Sequence, residues 1–335
     1  MEIMRFGIYG CRHAHIHAFV EEMLSAGHRF VGVCETGGPW AEALSREYGA
    51  PLFDNEEQLF EQSPQIIGTA AVNCDRIGII ERCFERGIHV MTVKPAVIDD
   101  TGLDRLRDVI STGRIQVGMM LTERFSPAVY TLKRLIDDGA LGQVIGLTLI
   151  KPHKLAADLR EPWHFDMASN GGLIADLMIH DFDLARWLCG SAPESMTGYV
   201  RRGFLACRPG VFDSARILIR TKKAQLVEME SDWRMPEGYF TYGDARIICT
   251  GTLGRAEAFP TGIGVADREP CLLLTTHEAD VCRMPLSSQP CTLAEDFVRR
   301  INGVAGGIVT HDDILGASAD AVLARRSVEV VDYDD

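Results

Sequence analysis

Through the first 120 residues, short apolar runs of strand length alternate with segments spaced for helices. Strands are predicted over residues 5–9, 30–34, 65–71, 89–93 and 116–121. Helices are predicted over 13–25, 40–48, 55–62, 75–86 and 102–111. Gly10, Gly27, Gly49 and Gly87 close elements at these boundaries, and Asp54 is the expected N-cap of the third helix. Strands alternating with helices at this interval imply parallel βαβ units.

The pattern changes after residue 122. A helix over 125–137 precedes mostly strands, at 144–151, 196–203, 214–220, 224–231, 245–250, 255–259 and 271–275, with helices near 292–302 and 311–328. Short turns such as Lys222-Lys223 imply antiparallel pairing. The expected fold class is α/β. A doubly wound, Rossmann-type parallel sheet covers 1–122, and an α+β domain with an open, mainly antiparallel sheet covers 123–335.

Composition narrows the function. Hydrophobic residues make up 46% of the 335, enough for two packed cores. A net charge of −13 repels polyanions, so nucleic acid is excluded as a partner. The ten cysteines, from Cys11 through Cys207 to Cys291, contain no CxxC pair, and several, such as Cys34 and Cys249, lie in apolar runs. They read as buried free thiols of a reducing compartment. The N-terminus reads as a strand rather than a signal peptide, and no apolar run reaches bilayer length. A cytoplasmic protein with no membrane partner is expected.

The turn after the first strand is where a doubly wound sheet holds a pyrophosphate. It reads Gly7-Ile8-Tyr9-Gly10-Cys11-Arg12-His13-Ala14-His15. Counted from Gly10, the first fingerprint glycine is present, and Arg12 and His15 replace the other two. His15 is expected to push the helix away from the strand. Glu35 ends the second strand, where a carboxylate binds adenosine ribose hydroxyls and disfavours a 2′-phosphate, so NAD is expected over NADP. The His13-x-His15-x-His17 run could suggest a metal, but a helix start cannot aim alternating side chains at one ion.

Two further features carry chemistry. Lys94-Pro95 follows the fourth strand, with a bond that tolerates the cis form. The stretch from Gly171-Gly172 to Leu188 is predicted as one helix, placing Asp176 and His180, four residues apart, on one face. A carboxylate, an imidazole and a lysine can relay a hydroxyl proton, though such an i, i+4 pair is also a common solvated bridge.

Together these residues resemble the glucose–fructose oxidoreductase / inositol dehydrogenase / rhizopine catabolism family (Gfo/Idh/MocA). The resemblance covers almost the whole chain. It rests on the Gly7-x-x-Gly10 turn, Glu35, Asn73, Lys94-Pro95, Arg124-Phe125-Ser126-Pro127, Gly139-Ala140-Leu141-Gly142 and above all the 171–188 block. It implies a Rossmann domain binding NAD(P) and an open sheet carrying the substrate and the oligomer contact. Lys94, Asp176 and His180 become the expected catalytic set. Gly10, Cys11, Arg12, His13, Ala14, Glu35, Asn73, Lys94 and Pro95 become the expected cofactor contacts. The chain departs from the family at Arg12 and His15, at Val93 where the family has Glu before Lys-Pro, at Val72-Asn73-Cys74-Asp75-Arg76 where it has Pro-Asn-x-x-His, and at His164 where it has Arg.

On the substrate side, Arg124 could orient a hydroxyl or carboxylate, or make a domain-closing salt bridge. His153 and His164 flank the loop before the glycine pair and could bind polyol hydroxyls; with Asp176 and His180 they could also ligate a metal. Trp163 could stack on a sugar face or lie buried. No resident metal is expected. The expected reaction is hydride transfer between NAD and a hydroxyl carbon of a sugar, polyol or related hydroxy compound. His180 is the base, Asp176 the orienting group and Lys94 the stabiliser of the developing alkoxide. Two alternatives stay open: a lyase or glycosidase using tightly held NAD without net redox change, and a non-enzymatic sensor of sugar or nucleotide. A small-molecule substrate and a homo-oligomer (dimer or tetramer) through the second sheet complete the expectation.

Overall fold

The computed structural model describes residues 2–35, 39–203, 205, 208, 210–264 and 267–332; Cys207 lies outside them. The chain begins β1 (Arg5–Cys11), α1 (Ile16–Ser25), β2 (Arg29–Cys34), α2 (Pro39–Tyr48), β3 (Leu52–Phe53), α3 (Glu56–Glu61), β4 (Ile66–Ala70), α4 (Arg76–Arg86), β5 (His89–Thr92), α5 (Asp100–Ser111) and β6 (Val117–Met119). It continues α6 (Pro127–Asp137), β7 (Val144–Pro152), α7 (Met167–Asn170), α8 (Gly172–Asp176), α9 (Ile179–Cys189), β8 (Pro193–Arg202), β9 (Phe212–Thr221) and β10 (Leu226–Asp232). The last elements are β11 (Arg246–Gly251), β12 (Gly254–Phe259), β13 (Cys271–Thr276), β14 (Cys282–Arg283), α10 (Leu293–Ile301), α11 (His311–Ser327) and β15 (Val328–Asp332).

Two sheets organise these elements. The first is wholly parallel in the order β3-β2-β1-β4-β5-β6. The second runs β14-β13-β12-β11-β7-β10-β9-β8-β15; the β7–β10 and β8–β15 pairs are parallel and its other pairs antiparallel. The chain divides into two compact units. Unit 1 comprises Met1–Leu121, Ala168–Gly171 and Cys291–Ala319; unit 2 comprises Thr122–Met167, Gly172–Pro290 and Asp320–Asp335. The expected split into 1–122 and 123–335 therefore differs at the C-terminal end. A Thr292–Glu295 capping box starts α10. Glu22 on α1 accepts the Ala294 amide at 2.8 Å, and Arg300 donates to Val117 O at 3.2 Å. Those contacts tie α10 to unit 1.

Local chemistry moves several expected boundaries. Asn55, not Asp54, caps α3, accepting from the Gln58 amide at 3.0 Å. Helix α1 starts at Ile16 rather than residue 13, because His13 Nδ1 accepts the His15 amide at 3.2 Å in a turn before the helix. His15 is exposed, so it does not push the helix from the strand. Phe19 instead packs where Gly68 on β4 leaves room; a Cβ there would meet the Phe19 ring at 3.0 Å.

The single helix expected over 171–188 is two. Asp176 ends α8, and His180 is the second residue of α9. Between them Leu177 and Met178 form a turn, with both amides directed at Leu173 O, at 2.9 and 3.2 Å. Every residue from Gly172 to Ala185 is buried. A segment enclosed on all sides needs no continuous amphipathic stripe, and a break costs it no apolar face.

Candidate functional site

In unit 1 an open cleft of about 830 Å³ lies at the carboxyl ends of the parallel strands. Tyr9, Gly10 and Arg12 line it from the end of β1 and the turn after it, Cys34 and Glu35 from the end of β2, and Ala71 and Val72 from beyond β4. The strand order reverses between β1 and β4, and ligands of such sheets bind at that switch point. Gly10 takes φ +79°, and a Cβ there would meet Ala71 Cβ at 2.6 Å. The position is thus closed to other residues both by conformation and by space.

Glu35 braces the turn as well as lining the cleft. Its Oε2 accepts the Cys11 amide at 2.8 Å. Burial first, and then the Glu35 charge, push the Cys11 thiol up to about 12, so it stays protonated. The cleft's far wall carries Asp54, Glu56 and Glu57. Glu56 accepts from Tyr9 Oη and lies 3.5 Å from Arg82 Nε. Burial, followed by that Glu56 contact, raises the Tyr9 phenol well above its ordinary value. Arg105, also on the wall, pairs with Glu81. The His13 and His15 rings meet tilted at 60°, 4.1 Å between centroids, while His17 turns to Glu47 at 3.4 Å. Among the described residues, no group of three or more His, Cys, Asp or Glu side chains is placed to hold a metal.

Past β4 and β5 lie Asn73 and Lys94, both buried. Asn73 Nδ2 donates to Asn170 O at 2.8 Å, and its Oδ1 is enclosed with no hydrogen-bond partner among the described residues. The Lys94-Pro95 bond is cis. Arg76, where the resemblance expects His, donates to the carbonyls of Ala71, Val93 and Pro95.

In unit 2, Asp176 and His180 are buried, though the helix between them is broken. Arg160, which the sequence did not single out, organises the surroundings of Asp176. Its Nη1 lies 3.9 Å from Asp176 Oδ2, its Nη2 donates to Tyr242 Oη at 2.7 Å, and its Nε donates to Leu155 O at 2.6 Å. Its guanidinium also sits 4.3 Å above the Trp233 ring. The His153 ring meets Tyr242 and Trp233 edge-on, at 5.3 and 6.1 Å. Asp176, Arg160, His153, Trp233 and Tyr242 therefore form one polar–aromatic cluster. Trp163 is nearly enclosed and stacks on His164 at 3.7 Å. That leaves little of its face for a sugar.

Arg124 is placed differently from the expected substrate contact. It is buried, and its guanidinium forks onto Asp183, with Nε and Nη2 at 2.8 and 2.6 Å from the two carboxylate oxygens. It is a salt bridge within unit 2, not the domain-closing one expected. A second buried network also escaped the sequence. Lys151 Nζ lies 2.8 Å from Asp181 Oδ1 and 2.5 Å from Glu123 Oε1, and Ser231 Oγ donates to Asp181 at 3.0 Å. Burial opposes the lysine charge, but the two carboxylates outweigh it and hold Lys151 above its ordinary value. Asp181 follows His180, so this network anchors the first turn of α9. No helix among the described residues is long and apolar enough to cross a membrane.

The chain is similar to known proteins. Residues 129–257 match the model of the GFO/IDH/MocA C-terminal domain. An inositol 2-dehydrogenase of Rhizobium meliloti (strain 1021) is 26% identical over 333 residues, covering 97% of each chain. A myo-inositol 2-dehydrogenase of Thermotoga maritima is 26% identical over 207 residues, 60% of this chain and 57% of that protein. The crystal structure of an aldose-aldose oxidoreductase from Caulobacter crescentus, complexed with glycerol, superposes with a TM-score of 0.83 at 16% identity, over 97% of both chains.

Proposed function

Because this chain belongs to the Gfo/Idh/MocA family of oxidoreductases, we propose that it is a dehydrogenase of a sugar, polyol or related hydroxy compound that uses NAD. The observation that carries the reading is the unit 1 cleft at the switch point, with Gly10 at one side and Glu35 at the end of β2. The residues fit a dinucleotide. Gly10 and the turn after β1 line the cleft where a pyrophosphate would lie, and Glu35 offers a carboxylate for ribose hydroxyls. The acidic wall of Asp54, Glu56 and Glu57 repels a 2′-phosphate, which supports NAD over NADP.

A bound nicotinamide supplies the hydride acceptor. The protein's part is to orient the substrate and move its proton. His180 takes the hydroxyl proton, Asp176 with Arg160 behind it orients the substrate's hydroxyls, and Lys94 stabilises negative charge on the reacting oxygen. His153 supplies a further hydroxyl contact within the same cluster. Inositol and aldoses, named for similar proteins, are the first substrates to try.

Calorimetry with NADH and NADPH tests the cofactor side. NADH is expected to bind and NADPH to bind more weakly, whereas no NADH binding up to millimolar concentration defeats the proposal. On the catalytic side, His180→Ala is expected to lower turnover roughly 100-fold or more while leaving NADH affinity nearly unchanged. Loss of thermal stability with unchanged turnover would make His180 a structural residue instead.

A further inference from the structure

Arg76 is wholly buried and permanently charged. It opens α4, and its guanidinium reaches three main-chain oxygens. Nε donates to Ala71 O at 2.8 Å; Nη1 donates to Val93 O at 3.1 Å and to Pro95 O at 2.8 Å. Ala71 follows β4, and Val93 and Pro95 stand on either side of Lys94. The Val93 amide still bonds to Thr69 O at 2.9 Å, and Thr92 Oγ1 donates to Val93 O at 2.9 Å. Beyond that point the chain leaves the sheet, and Arg76 takes over from the ladder.

We propose that Arg76 is a positioning residue for Lys94: by gripping the carbonyls before and after it, Arg76 fixes the direction in which the lysine leaves the carboxyl edge of the sheet. This rests on the reading of Lys94 as a catalytic residue. Hydrogen bonds from a charged donor are roughly twice as strong as neutral ones, and a planar fork reaches several acceptors with little freedom. A histidine, which the resemblance expects here, has two ring nitrogens and cannot serve three carbonyls at once. A lysine keeps the charge but lacks the fork. Misplacing a catalytic group by about 1 Å costs on the order of 100-fold in rate, so the grip on this segment bears on kcat rather than on substrate affinity.

The test uses the full chain with Arg76→Lys, Lys94→Ala and the double variant. Turnover is followed as NADH production from myo-inositol, D-glucose and D-xylose. Hydrogen exchange of the peptides covering 92–97 is read in the protein without substrate. Arg76→Lys is expected to lower kcat roughly 10- to 100-fold, with KM for NAD changed less than about twofold. In the Lys94→Ala background it should cause no further loss, because the two residues act as one unit. Exchange should quicken at 92–97 and not across the rest of unit 1. Equal kcat losses in both backgrounds, or exchange unchanged at 92–97, would overturn the proposal. Faster exchange throughout unit 1 with kcat intact would also overturn it, leaving Arg76 a structural plug. If Lys94→Ala turns over like the wild type, the reading of Lys94 fails separately, and the exchange data still report whether Arg76 holds the segment.

Discussion

Lowering the pH is expected to loosen unit 1 through His311. This residue begins α11, and its Nε2 accepts the Val117 amide of β6 at 3.0 Å. Only the neutral ring can accept. Burial first, and then the neighbouring Arg300, push its pKa from 6.5 down to about 4, with Asp312 pulling weakly the other way. The unfolded chain therefore binds the proton more readily than the folded one. The stabilisation is fully present above pH 6.5 and is lost as the pH falls from there toward 4. The separation corresponds to about 3 kcal/mol if fully expressed, and the ring's partial contact with solvent reduces that to about 1–2 kcal/mol. At pH 5 roughly half of it is gone, so the thermal midpoint should fall by about 2–4 °C on this account alone. His28 and His89 are built alike. They accept the Met4 and Gln116 amides at 3.1 and 2.9 Å, and burial depresses both. Thermal melts at pH 7.5 and 5 of the wild type and of His311→Gln separate this ring from other acid effects, because glutamine can accept the same amide and does not titrate. The variant should lose less stability than the wild type over that interval. Equal losses would refute the reasoning.

Two other expectations follow from unit 2. Arg124→Met removes the guanidinium paired with the buried Asp183 carboxylate and should cost about 3–5 kcal/mol in chemical denaturation, whereas adding Asp183→Leu should recover most of it; full additivity of the two changes would show that the pair is not coupled. The sheet face that carries Tyr199, Leu218 and Leu226, each more than half exposed, is proposed as the homo-oligomer contact. Light scattering should then give a mass above the 37.0 kDa of one chain, and Leu218→Glu with Leu226→Glu should return it to that value; a monomeric wild type at micromolar concentration removes the proposal.

Most of the fold was legible because its signals are local. Five of the six strands of the parallel sheet read as apolar runs, and each helix of unit 1 closes on a glycine or opens on a cap. What stayed hidden depends on distant partners. Arg160 sits in a loop whose sequence, Leu159-Arg160-Glu161-Pro162, carries no motif, and its role comes from Tyr242, 82 positions away. Lys151 reads as the polar end of a strand until Glu123 and Asp181 close around it. Short edge strands such as β3 and β14, two residues each, are below the length at which a period shows. The turn at Leu177-Met178 was invisible for a different reason. With both flanking helices enclosed, apolar residues occupy every face, and neither period nor polarity marks a break.

The altered glycine fingerprint shows how a motif can change while its physical requirements are met elsewhere. Three demands fall on this turn: a residue that tolerates positive φ, room for a backbone to approach a phosphate, and close packing of the first helix on the sheet. Gly10 meets the first with φ +79°, and a side chain there would strike Ala71 and Ile79. The third would be violated by His15 if α1 began at residue 13. It begins at Ile16, so His15 stays in the exposed turn, and the first helical contacts are made by Ile16 and Phe19. The close approach then needs its small residue on the strand rather than on the helix. Gly68 on β4 supplies it, because a Cβ there would meet the Ile8 side chain at 2.6 Å and the Phe19 ring at 3.0 Å. The glycine that the fingerprint places in the helix is thus replaced by one across the sheet. Arg12 lines the cleft, where a guanidinium suits a pyrophosphate. By this argument the departures at 12 and 15 go with a longer turn, and they leave the proposed nucleotide site open.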